Sequence, residues 1–242
     1  MGRCGSPPRW LPPDPHGPSR PRRSIAAEAD GSSIATITRP VLDACDEIGL
    51  SEYAVVGLSF GSTIGVRIAI ERPHQVIAVM AFMPWPASGT KPGDPIMERF
   101  LQAYGDLEAI NGAVHALALE PSRTTDVIRT MSTGVSEKFW RSWYGAGVYT
   151  SMYDELGSIT VPVSYVLAGR DAVAPRDQLI EDVQAIPRGR MVYLAEIGHL
   201  APYEDPDIVA TEIVDFLGRY TSAQPRPAIA WRSWSATTPD SP

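Results

Sequence analysis

A serine hydroxyl becomes a useful nucleophile when the chain aims it and a base takes its proton. Residues 57–61, Gly57-Leu58-Ser59-Phe60-Gly61, supply the aim. The pattern G-x-S-x-G stands between Tyr53-Ala54-Val55-Val56, a short continuous apolar run that reads as a strand buried on both faces, and a helical stretch from Phe60 to about Glu71 that Pro73 stops. A serine in so sharp a strand-to-helix turn projects its hydroxyl beyond the carboxyl end of a sheet. The flanking glycines are expected to remove Cβ atoms that would collide with neighbouring backbone, and the helix start points free N–H groups and a positive dipole end at whatever binds there. Glycine-rich turns also join strands to helices where no chemistry occurs, so Ser59 needs a base and an orienting acid.

The chain has four histidines. His16 lies in a proline- and arginine-rich start, His74 follows Pro73 at a helix end, and His115 falls in a helical stretch where a surface position is expected. His199, in Glu196-Ile197-Gly198-His199, follows the apolar run Met191–Leu194 and so occupies a loop at the same sheet end as Ser59. The acid belongs at the end of a strand between the two. Gly169-Arg170-Asp171 directly follows Val163–Ala168, whereas the stretch after Val76–Phe82 reads Met83-Pro84-Trp85-Pro86 and holds no acid. Asp177 lies further into a turn or helix, and Glu196 and Glu204 are too near His199 in sequence for a rigid strand-end position. A loop histidine and a turn aspartate are the plain alternatives for His199 and Asp171.

These side chains meet only if the elements carrying them are arranged for it. Ile34, Ile37, Val41, Cys45 and Ile48 recur at helical steps after Ser32, with Gly49 at the end, and Pro40 predicts a kink near Thr36 or a late start. Strand, helix and the second strand Val76–Phe82 make a βαβ unit with parallel strands and a right-handed crossover. Between Pro84 and Leu156 helical periodicity recurs, at Ile96, Phe100, Leu101 and Tyr104, at Ile110, Val114 and Leu117, and around Phe139, Trp140, Trp143 and Tyr144, with no convincing strand. Alternation then resumes with a strand at Val163–Ala168, a helix around Gln178–Ala185, a strand at Met191–Leu194 and a helix at Ile208–Leu217. No internal repeat occurs. Ser59, Asp171 and His199 each fall just past the end of a separate buried strand, and in an open α/β sheet such ends converge on the binding crevice.

The order Ser59, Asp171, His199, with the G-x-S-x-G turn, the G-R-D after the penultimate strand and the G-H before the last helix, resembles the α/β-hydrolase fold superfamily over residues 32–220. The resemblance implies an α/β fold with a mostly parallel sheet, a core of residues 32–83 and 157–220, and a helical cap at 84–156. It implies Ser59 as nucleophile, His199 as general base and then acid, Asp171 as the group that holds the imidazole tautomer, and the backbone N–H of Phe60 as one oxyanion donor. The substrate is then a small molecule with a carboxylic ester or related acyl bond, cleaved through an acyl-enzyme. Epoxide and haloalkane cleavage fit less well, because that branch carries an aspartate where Ser59 stands. Some of Trp85, Phe100, Tyr104, Trp140, Trp143, Tyr144, Tyr149 and Tyr153 are expected to line an apolar pocket, and most to pack the cap.

Family members usually have several strands before the elbow, and a loop after one of them gives the second oxyanion donor. Here Tyr53 is the first credible strand residue, and Asp14-Pro15-His16-Gly17-Pro18-Ser19 matches the family's glycine-rich loop poorly. The fold is thus read as N-terminally truncated, with the elbow strand left as an apolar edge that favours pairing with a second copy. A misplaced start is the favoured explanation. The alternative function is a catalytically impaired protein of this fold serving as a binding module.

Composition narrows the rest. Proline is abundant, 23 of 242 residues, because of two tails, 1–31 and 221–242, expected to be disordered. Five arginines against Asp14 give residues 1–23 a charge of +4, Arg226 and Arg232 against Asp240 give residues 221–242 +1, and the total of −7 leaves −12 for residues 24–220. So acidic a body repels a phosphate backbone, which argues against nucleic-acid partners. No apolar run approaches the ~20 residues of a membrane span. Cys4 and Cys45 form no disulfide framework, and a cytoplasmic location is expected. No ligand spacing for a metal and no G-x-G-x-x-G after a strand occurs, so no cofactor is expected.

Overall fold

The computed structural model of the chain describes residues 31–115, 117 and 134–220. Four strands, β1 (Tyr53–Leu58), β2 (Val76–Phe82), β3 (Val163–Ala168) and β4 (Gly189–Leu194), lie side by side in chain order, and each neighbouring pair is parallel. The register matches Leu58 to Phe82, Phe82 to Val166 and Ala168 to Leu194, so the carboxyl ends finish nearly in line. This is the parallel α/β arrangement expected from the sequence. Among the described residues β1 is an edge with β2 on one side, and its Val56 is 40% exposed.

Successive strand residues face opposite ways, and β2 separates two cores by that rule. Val79 and Ala81 join one cluster, which takes in Val163, Tyr165 and Leu167 of β3, while Ala78, Met80 and Phe82 join a second with Val166 and Leu194. Helices α1 (Ile34–Glu47), α2 (Phe60–Glu71) and α3 (Pro95–Gln102), α4 (Leu107–His115) and α5 (Glu137–Gly145), together with α6 (Arg176–Ala185), put residues into the first cluster. The short α7 (Ala201–Glu204) and the long α8 (Pro206–Tyr220) supply Ala201, Val209 and Phe216 to the second. The helices between β2 and β3 thus share the apolar interior of α1 and α2.

Pro40 does not delay α1: the helix starts at Ile34 and continues through the proline to Glu47. Its start is fixed by a capping box, in which Ser33 Oγ accepts the Thr36 N–H and Thr36 Oγ1 accepts the Ser33 N–H, both at 3.1 Å. Ile34, Ile37 and Leu42, buried on either side of Pro40, hold the helix where one backbone bond is missing. Gly31, placed by sequence at the end of a tail, is buried, and its N–H donates to Ser142 Oγ of α5 at 2.8 Å. The remainder of the tails expected at 1–31 and 221–242 falls outside the described residues.

Among the described residues, the helical periodicity between β2 and β3 resolves into α3, α4 and α5 with two 3-10 turns, Gly147–Tyr149 and Tyr153–Ser158. Asp94 caps α3, accepting the Ile96 and Met97 N–H groups, and Ser136 caps α5 through the Phe139 N–H. Four of the aromatic residues there pack one another: Phe100 stacks on Tyr144, and Trp140 tilts against Tyr104 and Tyr144 while its Nε1–H donates to the Phe100 carbonyl. Burial accordingly pushes the Tyr144 phenol up.

Candidate active site

Ser59, the residue between β1 and α2, has φ 52° and ψ −121°, outside the regions a side chain prefers. Several bonds impose this. Its N–H donates to the Phe82 carbonyl at 2.8 Å, and its own carbonyl accepts the Ser62 and Thr63 N–H groups at 2.9 and 3.2 Å. Buried Ser62 adds a support that no sequence pattern marked: its Oγ lies 2.6 Å from the Gly57 carbonyl and 2.7 Å from that of Phe82. Strain of this kind persists where the surroundings over-determine it.

The two glycines of the turn differ. A Cβ at Gly57 would stand 2.5 Å from the Gly61 carbonyl oxygen and 2.6 Å from the Ser62 nitrogen, whereas one at Gly61 would meet nothing within 4 Å. The expectation that both remove a collision therefore holds for Gly57 alone. Gly61 is the backbone against which Gly57 must be bare.

Asp171 follows β3 on a loop stitched to the one after β4. Gly169 N–H donates to the Leu194 carbonyl at 2.8 Å, Arg170 N–H to that of Ile197 at 2.9 Å, and the Arg170 side chain pairs with Glu196. One Asp171 oxygen, Oδ1, accepts the Val173 and Ala174 N–H groups at 2.8 and 3.2 Å. The other, Oδ2, lies 2.8 Å from His199 Nδ1, and His199 Nε2 lies 2.8 Å from Ser59 Oγ. One oxygen of the carboxylate thus serves the turn and the other faces the imidazole. The His199 and Asp171 side chains are each 3% exposed, so the contact between them is shielded from water. His74 and His115 are exposed, and Asp177 sits in the first turn of α6.

Phe60 opens α2, so its N–H is among the four that a helix start leaves without an internal acceptor. Its ring packs edge-on against Trp143 and Phe139 of α5, with centroids 4.6 and 6.1 Å away. The adjoining strand end carries a second strained residue, buried Met83 at φ 41°, which the sequence did not single out. Glu204, set aside in the sequence as the acid for His199, has a different part: its Oε2 accepts the Gly198 N–H at 2.7 Å and so holds the residue before His199. Glu204→Ala should lower kcat/KM about ten-fold with the melting temperature little changed, and Glu204→Gln, which keeps an acceptor, should restore most of it. Steady-state assays on the two variants check this.

Beside the Asp171 loop lies a cavity of about 360 Å³, between a wall that includes Trp85, Pro86, Thr90 and Ile96 and a wall of Val173, Pro175, Asp177 and Gln178. Trp85 is oriented there by Nε1–H donation to Thr90 Oγ1 at 2.6 Å, and its backbone N–H donates to Thr63 Oγ1 of α2 at 2.9 Å.

A model of the alpha/beta hydrolase family matches residues 4–212. The chain belongs to that family. Among solved structures, this alpha/beta hydrolase is similar to the enol-lactonase of Burkholderia xenovorans LB400, with a TM-score of 0.68, 23% identity, 79% of this chain and 75% of that one covered. It is also similar to the 2-hydroxy-6-oxo-6-phenylhexa-2,4-dienoate hydrolase of Rhodococcus sp. strain RHA1, with a TM-score of 0.63, 17% identity and coverage of 75% and 69%. At such identities these two carry the fold. A curated relative, "Putative carbamate hydrolase RutD" of Klebsiella pneumoniae (strain 342), is 34% identical over 53 residues, 22% of this alpha/beta hydrolase. The match spans a fifth of that relative's length.

Proposed function

We propose that this alpha/beta hydrolase is a serine hydrolase that cleaves a carboxylic ester or related acyl bond in a small molecule through an acyl-enzyme on Ser59. The observation that carries the reading is the unbroken run of two 2.8 Å contacts from Asp171 through His199 to Ser59 Oγ. In the tautomer that suits the run, Nδ1–H donates to Asp171 and bare Nε2 accepts the serine hydroxyl. As Ser59 Oγ attacks the acyl carbon, its proton passes to Nε2. The imidazolium formed is stabilised by the Asp171 carboxylate and then protonates the leaving alcohol. Water, deprotonated by the same Nε2, releases the acid and restores Ser59.

The developing oxyanion is proposed to lie at the start of α2, where the Phe60 N–H and the positive helix end favour negative charge. A single such donor is typically worth about 3 kcal/mol of transition-state stabilisation. The cavity beside Asp171 is proposed to take one arm of the substrate. Its volume of about 360 Å³ falls within the range of small-molecule sites, and Trp85, Pro86, Ile96 and Pro175 give it apolar surface. Helices α3 to α5 would then act as a cap over the acyl group.

A fluorophosphonate probe tests this directly. The protein should be labelled stoichiometrically, Ser59→Ala should abolish labelling, and short-chain aryl esters should be turned over by the unaltered chain alone. Absence of labelling in folded protein that is also inert toward those esters favours the binding-module reading instead.

A further inference from the structure

The carboxylate of Asp182 has no part in the chemistry above, yet it is 1% exposed in the middle of α6. Its Oδ2 accepts the Ala87 N–H at 2.8 Å. Ala87 is where the chain, having left β2, sets out toward α3, and its carbonyl accepts the Met152 N–H at 2.7 Å from the segment returning toward β3. Thr90 N–H similarly donates to the Val148 carbonyl at 2.8 Å. The outgoing and returning segments are thus tied together, and Asp182 ties them to the core.

The same bond bears on the cavity. One wall, with Trp85, Pro86 and Thr90, belongs to the outgoing segment; the other, with Asp177 and Gln178, belongs to the first turn of α6. Among the described residues, the bond from Ala87 to Asp182 is the hydrogen bond that crosses between the stretches forming the two walls. An amide oxygen could accept that N–H without the cost of burying a charge. We propose that Asp182 is a positioning residue: its buried carboxyl group, through Oδ2, latches the root of the helical segment to α6, fixes the Trp85–Pro86 wall, and so governs substrate entry separately from the chemistry at Ser59.

Burial raises the Asp182 carboxyl to about 6, against the opposing pull of the Ala87 N–H. Tyr165 of β3 is the titratable neighbour from the sheet, kept neutral because burial holds its phenol well above the usual range, and Glu181 on the same helix adds to the rise. Strand β4, which carries Arg190, and the 3-10 turn Tyr153–Ser158, which carries Asp154 and Glu155, also pack on α6. The sign follows from linkage. In the latched state the group binds its proton more tightly than in an open state, where water returns it to about 4. Protonation therefore favours the latch, and ionisation favours opening, with the change falling between pH 4 and 6.

Hydrogen exchange with mass-spectrometric readout from pH 4 to 8, corrected for the intrinsic rate, tests the latch without any substrate. Opening of residues 85–90 should rise roughly 50-fold over that range and level off above pH 6.5. Asp182→Asn should give a flat profile, and Asp182→Ala should raise opening at pH 4, where the unaltered latch is tightest, while β2 and β3 keep their protection. A flat profile in the unaltered protein, an unchanged profile in Asp182→Asn, or an Asp182→Ala effect spread evenly over the sheet overturns the proposal. A second arm rests on the proposed function. With an aryl ester, Asp182→Ala should change KM several-fold with kcat and fluorophosphonate labelling nearly unchanged. Loss of kcat and labelling together in that variant overturns the positioning role. Inert unaltered protein refutes the hydrolase reading and leaves the exchange arm to judge the latch.

Discussion

Asp171→Asn is expected to lower kcat toward an aryl ester about 10⁴-fold while leaving the melting temperature within a few degrees of the unaltered protein. The geometry forces the loss. Oδ1 is held by the Val173 and Ala174 N–H groups, so the asparagine oxygen must stay there and its NH₂ must replace Oδ2 opposite His199 Nδ1. A donor in that place selects the tautomer with its proton on Nε2, and Nε2 can then no longer take the proton of Ser59 Oγ, 2.8 Å away. Asp171→Ala should be as inactive but less stable, because the two loop amides also lose their acceptor. A loss in Asp171→Asn of less than ten-fold, measured on folded protein, removes Asp171 from the proposed mechanism. Steady-state kinetics and thermal unfolding on the pair supply the comparison.

The second large effect separates two glycines that a sequence motif treats alike. Gly57→Ala should destabilise the fold by about 3 kcal/mol, because the new methyl meets backbone that cannot give way: the Gly61 carbonyl at 2.5 Å and the Ser62 nitrogen at 2.6 Å. For a domain of this size that is a fall of roughly 10 °C in melting temperature. Labelling of Ser59 should fall as well, since the displaced Ser62 can no longer hold the Gly57 and Phe82 carbonyls around the turn. Gly61→Ala, with nothing within 4 Å and a position inside α2, should instead be neutral or stabilising by up to about 1 kcal/mol. Equal losses in the two variants argue that turn flexibility, and not the collision at Gly57, is what the motif protects.

Much of this was legible in the sequence because the signals are local. Apolar runs bounded by turn residues marked the four strands among the described residues, and the consecutive strand, turn and helix around Ser59 gave α2 its bounds at Phe60 and Glu71. Asp171 and His199 could be chosen from their rivals because a parallel sheet brings strand ends to one edge, and the register of β1 to β4 places them there. The late start that Pro40 suggested did not occur, because a local rule about one missing bond was outweighed by a capping box and by burial on both sides of it.

The sequence by itself determined the alternation of elements, the order of Ser59, Asp171 and His199, and the single charged body between basic ends, since each follows from residue type and spacing along the chain. Tertiary structure alone decided that Asp171 Oδ2, His199 and Ser59 Oγ fall into one run of 2.8 Å contacts. It alone showed that Gly57 and not Gly61 is sterically required, that Glu204 and Ser62 brace the two loops, and that Asp182 reaches Ala87 across 95 residues. Periodicity specifies which face of an element turns inward. It carries no information about which atom of a distant element that face will meet, and the contacts that set hydrogen-bond length, strain and burial are of that long-range kind.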